Sequence, residues 1–216
     1  MAKVLYITAN PKAVEESFGL QVGEHFIEKY QEENSGDRVE RLDLYKEYIP
    51  LIDETVLGAW GKLQKGQPLN EEEEAITSRM NQLLEQFLEA DKYVFVTPMW
   101  NLSYPPKLKA FIDNIAIAGK TFKYTEEGPQ GLLTDKKVVH VQARGGVYSE
   151  GPAMDFEFAD KYLRGIMGFI GITDYTHIPV EGMNQYPDRV GEILSEAKDT
   201  AAAAVEGFSK DKVSQL

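Results

Sequence analysis

The 216-residue chain contains no cysteine and only three histidines. Without cysteine there is no disulfide, no thiolate nucleophile and no thiol-ligated metal, a composition expected of a cytoplasmic protein. No apolar run is long enough to span a bilayer, and the N-terminal run Val4-Leu5-Tyr6-Ile7 is too short for the core of a signal peptide. Positive charge is scarce too. Twenty-three Lys and Arg against 35 Asp and Glu leave a net charge of −12, which argues against nucleic acid or an anionic membrane as a partner. An anionic small ligand stays compatible, because loop amides and helix N-termini bind phosphate even within an acidic protein. There is no Walker-type loop and no GxGxxG, so a nucleoside triphosphate or Rossmann dinucleotide site has no support. No Ser-His-Asp order or paired-carboxylate motif stands out. His25, His140 and His177 fall on one helix and two strands, scattered as packing or surface residues are, so no metal site is expected. If the chain is an enzyme, a bound cofactor carries the chemistry.

What is present suits one α/β domain over residues 1–216, with 43% hydrophobic and 27% charged residues. Val4 to Thr8, the alternating edge segment Val39 to Leu44, Tyr93 to Val96, Val138 to Gln142 and residues 172–180 read as strands. Helices are expected from Ser17 with Phe18, Val22, Phe26 and Tyr30 on one face, near 53–64, from Asn70 through Leu88, over 106–118, over 153–169, and from Pro187 to Gly207. Asn70 with Glu73 three residues on makes a capping-box start, and the acidic run Glu71 to Glu74 reads as a solvated helix end. Residues 45–69 are irregular, and Gly119 to Pro129 reads as a hairpin-like excursion. Alternating strands and helices imply a parallel sheet with helices on both faces. Five such strands suit the 2-1-3-4-5 order of a flavodoxin-like, doubly wound sheet, whose switch point lies between the first and third strands.

The loops after strands one, three and four would meet at that point. In the first, Ser17 and the amides of Phe18 and Gly19 could hold a phosphate at a helix start, or Ser17 could be an ordinary N-cap. Asn10 is a turn residue or a phosphate contact. In the second, Met99, Trp100, Asn101 and Leu102 could offer amides and a flat apolar face to a heteroaromatic ring, or be a strand end tucked into the core. Pro105-Pro106 weakens the core reading by presetting the loop's shape. In the third, Arg144-Gly145-Gly146 could let backbone approach a planar ligand, or be a plain β-turn.

The segments Pro98-Met99-Trp100-Asn101, Thr121-Phe122-Lys123-Tyr124-Thr125, Ala143-Arg144-Gly145-Gly146 with its trailing Gly151-Pro152, and Gly168-Phe169-Ile170-Gly171 carry a resemblance. The chain resembles the FMN-dependent NADH-azoreductase family within the flavodoxin-like NAD(P)H:quinone reductases, over essentially its whole length. The resemblance implies noncovalent FMN, with the phosphate near Asn10, Ser17, Phe18 and Gly19. The ring would lie between Met99, Trp100, Asn101 and Leu102 on one side and Ala143, Arg144, Gly145 and Gly146 on the other. It implies NADH as electron donor, chemistry at the flavin N5 rather than at a protein residue, and ping-pong reduction of azo compounds to amines or quinones to hydroquinones. It further implies a homodimer with shared sites, in which Trp60, Tyr124 and Phe169 border the substrate space, partly across the interface. The first loop departs from the family pattern. It carries Asn10, Glu15 and Glu16 where many members have hydroxyl residues, while Ser17 matches. Two other classes compete: a flavodoxin-type electron carrier, against which the 45–69 and 119–131 excursions argue, and a cofactor-free interaction module.

Overall fold

The computed structural model describes residues 1–210. The chain runs β1 (Lys3–Thr8), α1 (Phe18–Glu33), β2 (Arg38–Asp43), α2 (Glu54–Gln64), α3 (Glu71–Glu89), β3 (Lys92–Pro98), α4 (Pro106–Ile115), β4 (Phe122–Thr125), β5 (Gly128–Gly131), β6 (Lys137–Arg144), α5 (Ala159–Phe169), β7 (Asp174–Glu181) and α6 (Val190–Ser209). Five strands form one parallel sheet in the order β2-β1-β3-β6-β7, which is 2-1-3-4-5 when only its own strands are counted. The pair β4–β5 is the expected hairpin, antiparallel and separate from the main sheet.

Side chains alternate between the two faces of a strand, and each face here is apolar. On one face Leu5, Ile7, Tyr93, Phe95 and Val138 meet Leu83 and Phe87 of α3, Phe111 and Ile112 of α4, and Leu163 and Met167 of α5. On the other face Val4, Tyr6, Val94, Val96, Val139 and Ile178 meet Val22, Phe26 and Tyr30 of α1 and Ala201, Val205 and Phe208 of α6. Burial on both faces explains why β1 and β3 carry no polar alternation, whereas β6 sets buried His140, Gln142 and Arg144 against Val139, Val141 and Ala143. Phe18, expected on the buried face of α1, is only half-buried.

Three local expectations change. The helix expected over 153–169 is broken: residues 152–156 form a 3-10 turn, and α5 begins after Glu157. Glu157 causes the restart, since its carboxylate accepts the Ala159, Asp160 and Lys161 amides at 3.1, 2.9 and 3.2 Å. The capping box at Asn70 and Glu73 forms, but Glu73 is buried rather than solvated, because Lys62 of α2 reaches its carboxylate at 2.7 Å. The histidines are not scattered: β6–β7 register pairs His140 with His177, and their rings stack 5.4 Å apart.

Candidate functional site

A crevice of about 250 Å³ opens at the carboxyl ends of β1, β3 and β6. That is where ligands settle on such sheets. Its walls include Asn10, Ser17, Phe18, Met99, Trp100, Ala143, Arg144 and Gly145. All three expected loops therefore converge.

The first loop delivers a helix N-terminus. Ser17 caps α1 by accepting the Leu20 amide, and Asn10 Nδ2 donates to the same hydroxyl at 2.9 Å. The two readings of Ser17 thus coexist, since its own proton is still available while it caps. The amides of Phe18 and Gly19 find no acceptor among the described residues. Gly19 does not wall the crevice. It lets α1 approach the sheet, where an added Cβ would stand 3.1 Å from Ala143 Cβ.

The second loop is strained. Trp100 and Ser103 exchange both backbone hydrogen bonds, at 2.7 and 3.0 Å, around Asn101 at φ 48° and Leu102 at φ 67°. Two consecutive left-handed residues are the signature of a type I′ turn, which favours Asn and Gly. Asn101 suits the turn; Leu102 does not, at a cost on the order of 1 kcal/mol. In return the Asn101 and Leu102 amides are left without an acceptor among the described residues. Trp100 remains 39% exposed, its ring edge-on to Tyr45 at 6.2 Å, so the reading of this loop as buried core fails.

The third loop follows Arg144, whose side chain is buried and turned away from solvent. Its Nε lies 3.2 Å from Glu181 Oε2, an oblique ion-pair contact and not an aligned hydrogen bond. Glu181 also accepts the Tyr148 and Ser149 amides and the Ser149 hydroxyl, which secures the loop beyond Gly146. The Gly145 and Gly146 amides have no acceptor among the described residues. An added Cβ at Gly145 would sit 2.5 Å from Asn184 Nδ2. A side chain there would first displace the flexible end of Asn184, before it met any ligand.

Sequence reading missed Lys12, Glu16, Pro98, Met183 and Asn184 on the crevice walls. The last two come from the loop after β7, a fourth contributor whose signal was the turn-rich run Gly182 to Pro187. The residues expected at the substrate space lie elsewhere in the chain. Trp60 lines a larger apolar cavity of about 530 Å³ between α2, α3 and α4, together with Phe122. Phe122 packs on Phe169 at 4.6 Å and on Tyr124 at 5.4 Å, and Tyr124 is 74% exposed at the hairpin. None of the three lines the crevice of the same chain. The larger cavity is lined mainly by apolar side chains, whereas the crevice combines the α1 N-terminus with Asn10, Lys12 and Ser17, so the crevice is the chemically equipped site.

Of the six acceptor-free amides on these loops, those of Phe18 and Gly145 belong to the crevice walls, whereas Asn101, Leu102 and Gly146, expected at the site, do not line it. These amides, one helix N-terminus and an exposed apolar face suit a ligand with a phosphate and a flat heteroaromatic ring. The comparisons agree. A family model described as flavodoxin-like fold matches residues 2–205. An FMN-dependent NADH:quinone oxidoreductase of Staphylococcus aureus is 55% identical over 201 residues, covering 93% of this chain and 97% of the relative. The crystal structure of an azoreductase from Bacillus anthracis str. Sterne matches with a TM-score of 0.90 at 44% identity, over 96% of this chain and 100% of that one. A FMN-dependent NADH-azoreductase from Bacillus anthracis str. Ames Ancestor, solved in complex with FMN, matches with a TM-score of 0.91 at 39% identity, over 97% and 100%. The chain belongs to the flavodoxin-like family of FMN-dependent NADH:quinone oxidoreductases and azoreductases.

Proposed function

We propose that this protein is an FMN-dependent NADH oxidoreductase that reduces quinones to hydroquinones and azo compounds to amines by a ping-pong route. The meeting of the α1 N-terminus, the exposed Trp100 face and the acceptor-free Phe18 and Gly145 amides at one strand-end crevice supports this reading. The residues fit the cofactor. Ser17 with the Phe18 and Gly19 amides would hold the phosphate, aided by the α1 dipole, and Lys12 would add a charge. Met99 to Leu102 and Ala143 to Gly146 would hold the ring. When bound, FMN supplies two-electron transfer at its N5. The protein's share is to position, to dry one face of the ring and to direct preset amides at its polar edge, where charge accumulates on reduction. Trp100, exposed at the rim, offers the acceptor a flat apolar surface.

The reading includes a homodimer with shared sites in the cytoplasm. The crevice alone is shallow, below the ~300–1,000 Å³ of pockets that enclose cofactor-sized ligands. Large apolar side chains stand exposed on the excursions: Leu51 before α2, Leu57 on it, Tyr124 on the hairpin, and Phe156 and Phe158 before α5. Trp60, Tyr124 and Phe169 would reach the substrate of the partner subunit. Purified protein is expected to be yellow, to bleach under anaerobic NADH and to recolour with a quinone. A colourless preparation that takes up no FMN refutes the proposal. A yellow preparation that NADH cannot bleach favours an electron carrier instead. Sedimentation at several concentrations tests the dimer.

A further inference from the structure

Beneath the crevice, on the α5 side of the sheet, lies a buried polar network that sequence reading did not connect. Asp160 at the start of α5 accepts from His140 Nδ1 at 2.9 Å and from the Tyr175 hydroxyl at 2.8 Å. A carboxylate only accepts, so Nδ1 carries the proton, and the far ring nitrogen Nε2 meets Thr97 Oγ1 at 3.0 Å. Thr97 is the root of the strained loop, one residue before Pro98. A second branch runs through Glu157. Gln142 Nε2 donates to Glu157 Oε1 at 3.1 Å, and Glu157 caps the same helix start. From that start the Phe158 amide donates to the Leu102 carbonyl at 3.2 Å. The loop 98–103 is therefore held at its root by Thr97 and at its strained tip by Leu102, and both holds lead back to the first turn of α5. His177 and Arg164 complete the surroundings of Asp160, at 3.8 and 3.4 Å. Two imidazoles and a carboxylate grouped this way have the composition of a metal site. The Tyr175 and Arg164 donors, together with the protonated Nδ1, already occupy the carboxylate.

We propose that Asp160 is a positioning residue for the flavin seat: through His140 and Thr97 it fixes the root of the loop, which with the backbone bond from Phe158 to Leu102 at the tip keeps the left-handed turn that frees the Asn101 and Leu102 amides. The proposal rests on the FMN reading above. Partners of this indirect kind typically change ligand affinity about tenfold or more where they have been tested on metal ligands.

The test measures FMN release from the holoprotein by flavin fluorescence on dilution, beside thermal unfolding. Asp160→Asn and His140→Gln are each expected to raise the FMN dissociation constant about tenfold. Tyr175→Phe, which removes a donor to Asp160 but not the path to the loop, is expected to lower thermal stability while moving that constant less than about threefold, within the spread of a single ordinary hydrogen bond. Glycine adopts positive φ without strain. Introducing Asp160→Asn into a Leu102→Gly background is therefore expected to cost less than about threefold in FMN affinity, against tenfold in the parent, the signature of coupled sites. Equal losses in the two backgrounds, or variants that melt lower yet hold FMN as the parent does, overturn the positioning role. Failure of the parent protein itself to hold FMN overturns the functional reading instead.

Discussion

His177 on β7 stands half-buried beside a second imidazole, and acid should find it there. Its Nε2 donates to Gln142 Oε1 at 3.1 Å, so Nδ1 faces the Asp160 carboxylate across 3.8 Å without a proton. Burial first, then the His140 ring and the Arg144 and Arg164 guanidiniums, push its pKa down from 6.5 to about 3, against the pull of Asp160. The unfolded chain thus binds a proton in the window between those values while the fold does not. Stability from this group is fully present above pH 6.5 and is lost as pH falls toward 3. From pH 7 to pH 5 the loss is about 2 kcal/mol, and it stays near that figure even if the folded value is a unit higher. The Asp160 carboxyl does not confuse the window. Burial alone would raise it, but the hydrogen bonds from His140 and Tyr175 and the two adjacent imidazoles hold it below its ordinary 3.8, so its contribution disappears only in stronger acid. Urea unfolding at pH 7, 6 and 5 should show the parent losing about 2 kcal/mol more than His177→Gln, which cannot titrate but can still donate to Gln142. Parallel pH dependences in the two proteins would refute the argument.

Other substitutions test the seat and its supports. In Gly23→Ala the new methyl would stand 2.6 Å from Val96 Cγ2 and 2.7 Å from the Tyr6 hydroxyl. Overpacking there should outweigh alanine's helix preference and destabilise by ~1–2 kcal/mol, read from the urea midpoint. Ser17→Ala removes the α1 cap and the partner of Asn10, for a loss of about 1 kcal/mol and weaker FMN retention on gel filtration. Gly145→Val should also purify with less flavin. Because Asn184 is the first atom group it meets, Asn184→Gly should recover part of that loss, and no recovery would point to direct contact with the ring.

The sheet was legible because its signal is local. Tyr93-Val94-Phe95-Val96 and Val138-Val139 are buried on both faces, and apolar runs of that length separated by amphipathic helices admit few topologies. The three loops followed from the strand order, since the switch point names which strand ends meet. The network of His140, His177 and Asp160 was not legible. It depends on β6–β7 register and on where α5 restarts, and spacing along the chain encodes neither. The conformation of Leu102 was equally hidden, as leucine is no turn former and only its surroundings impose φ 67°. Lys12 lines the crevice without any local pattern that sets it apart from other loop residues, and for Asn184 the turn-rich run Gly182 to Pro187 marks a loop but not its part in the crevice.

The shallowness of the crevice also bears on how turnover scales with amount of protein. In the proposed homodimer, where a twin chain closes the open side of the seat, catalysis becomes a population property: at great dilution each chain would keep its fold and its strand-end loops but lose a wall. Specific activity should then rise with protein concentration and level off once pairing is complete. Salt should disturb that curve little, because the large exposed side chains offered to a twin chain, Leu51, Leu57, Tyr124 and Phe156, are apolar.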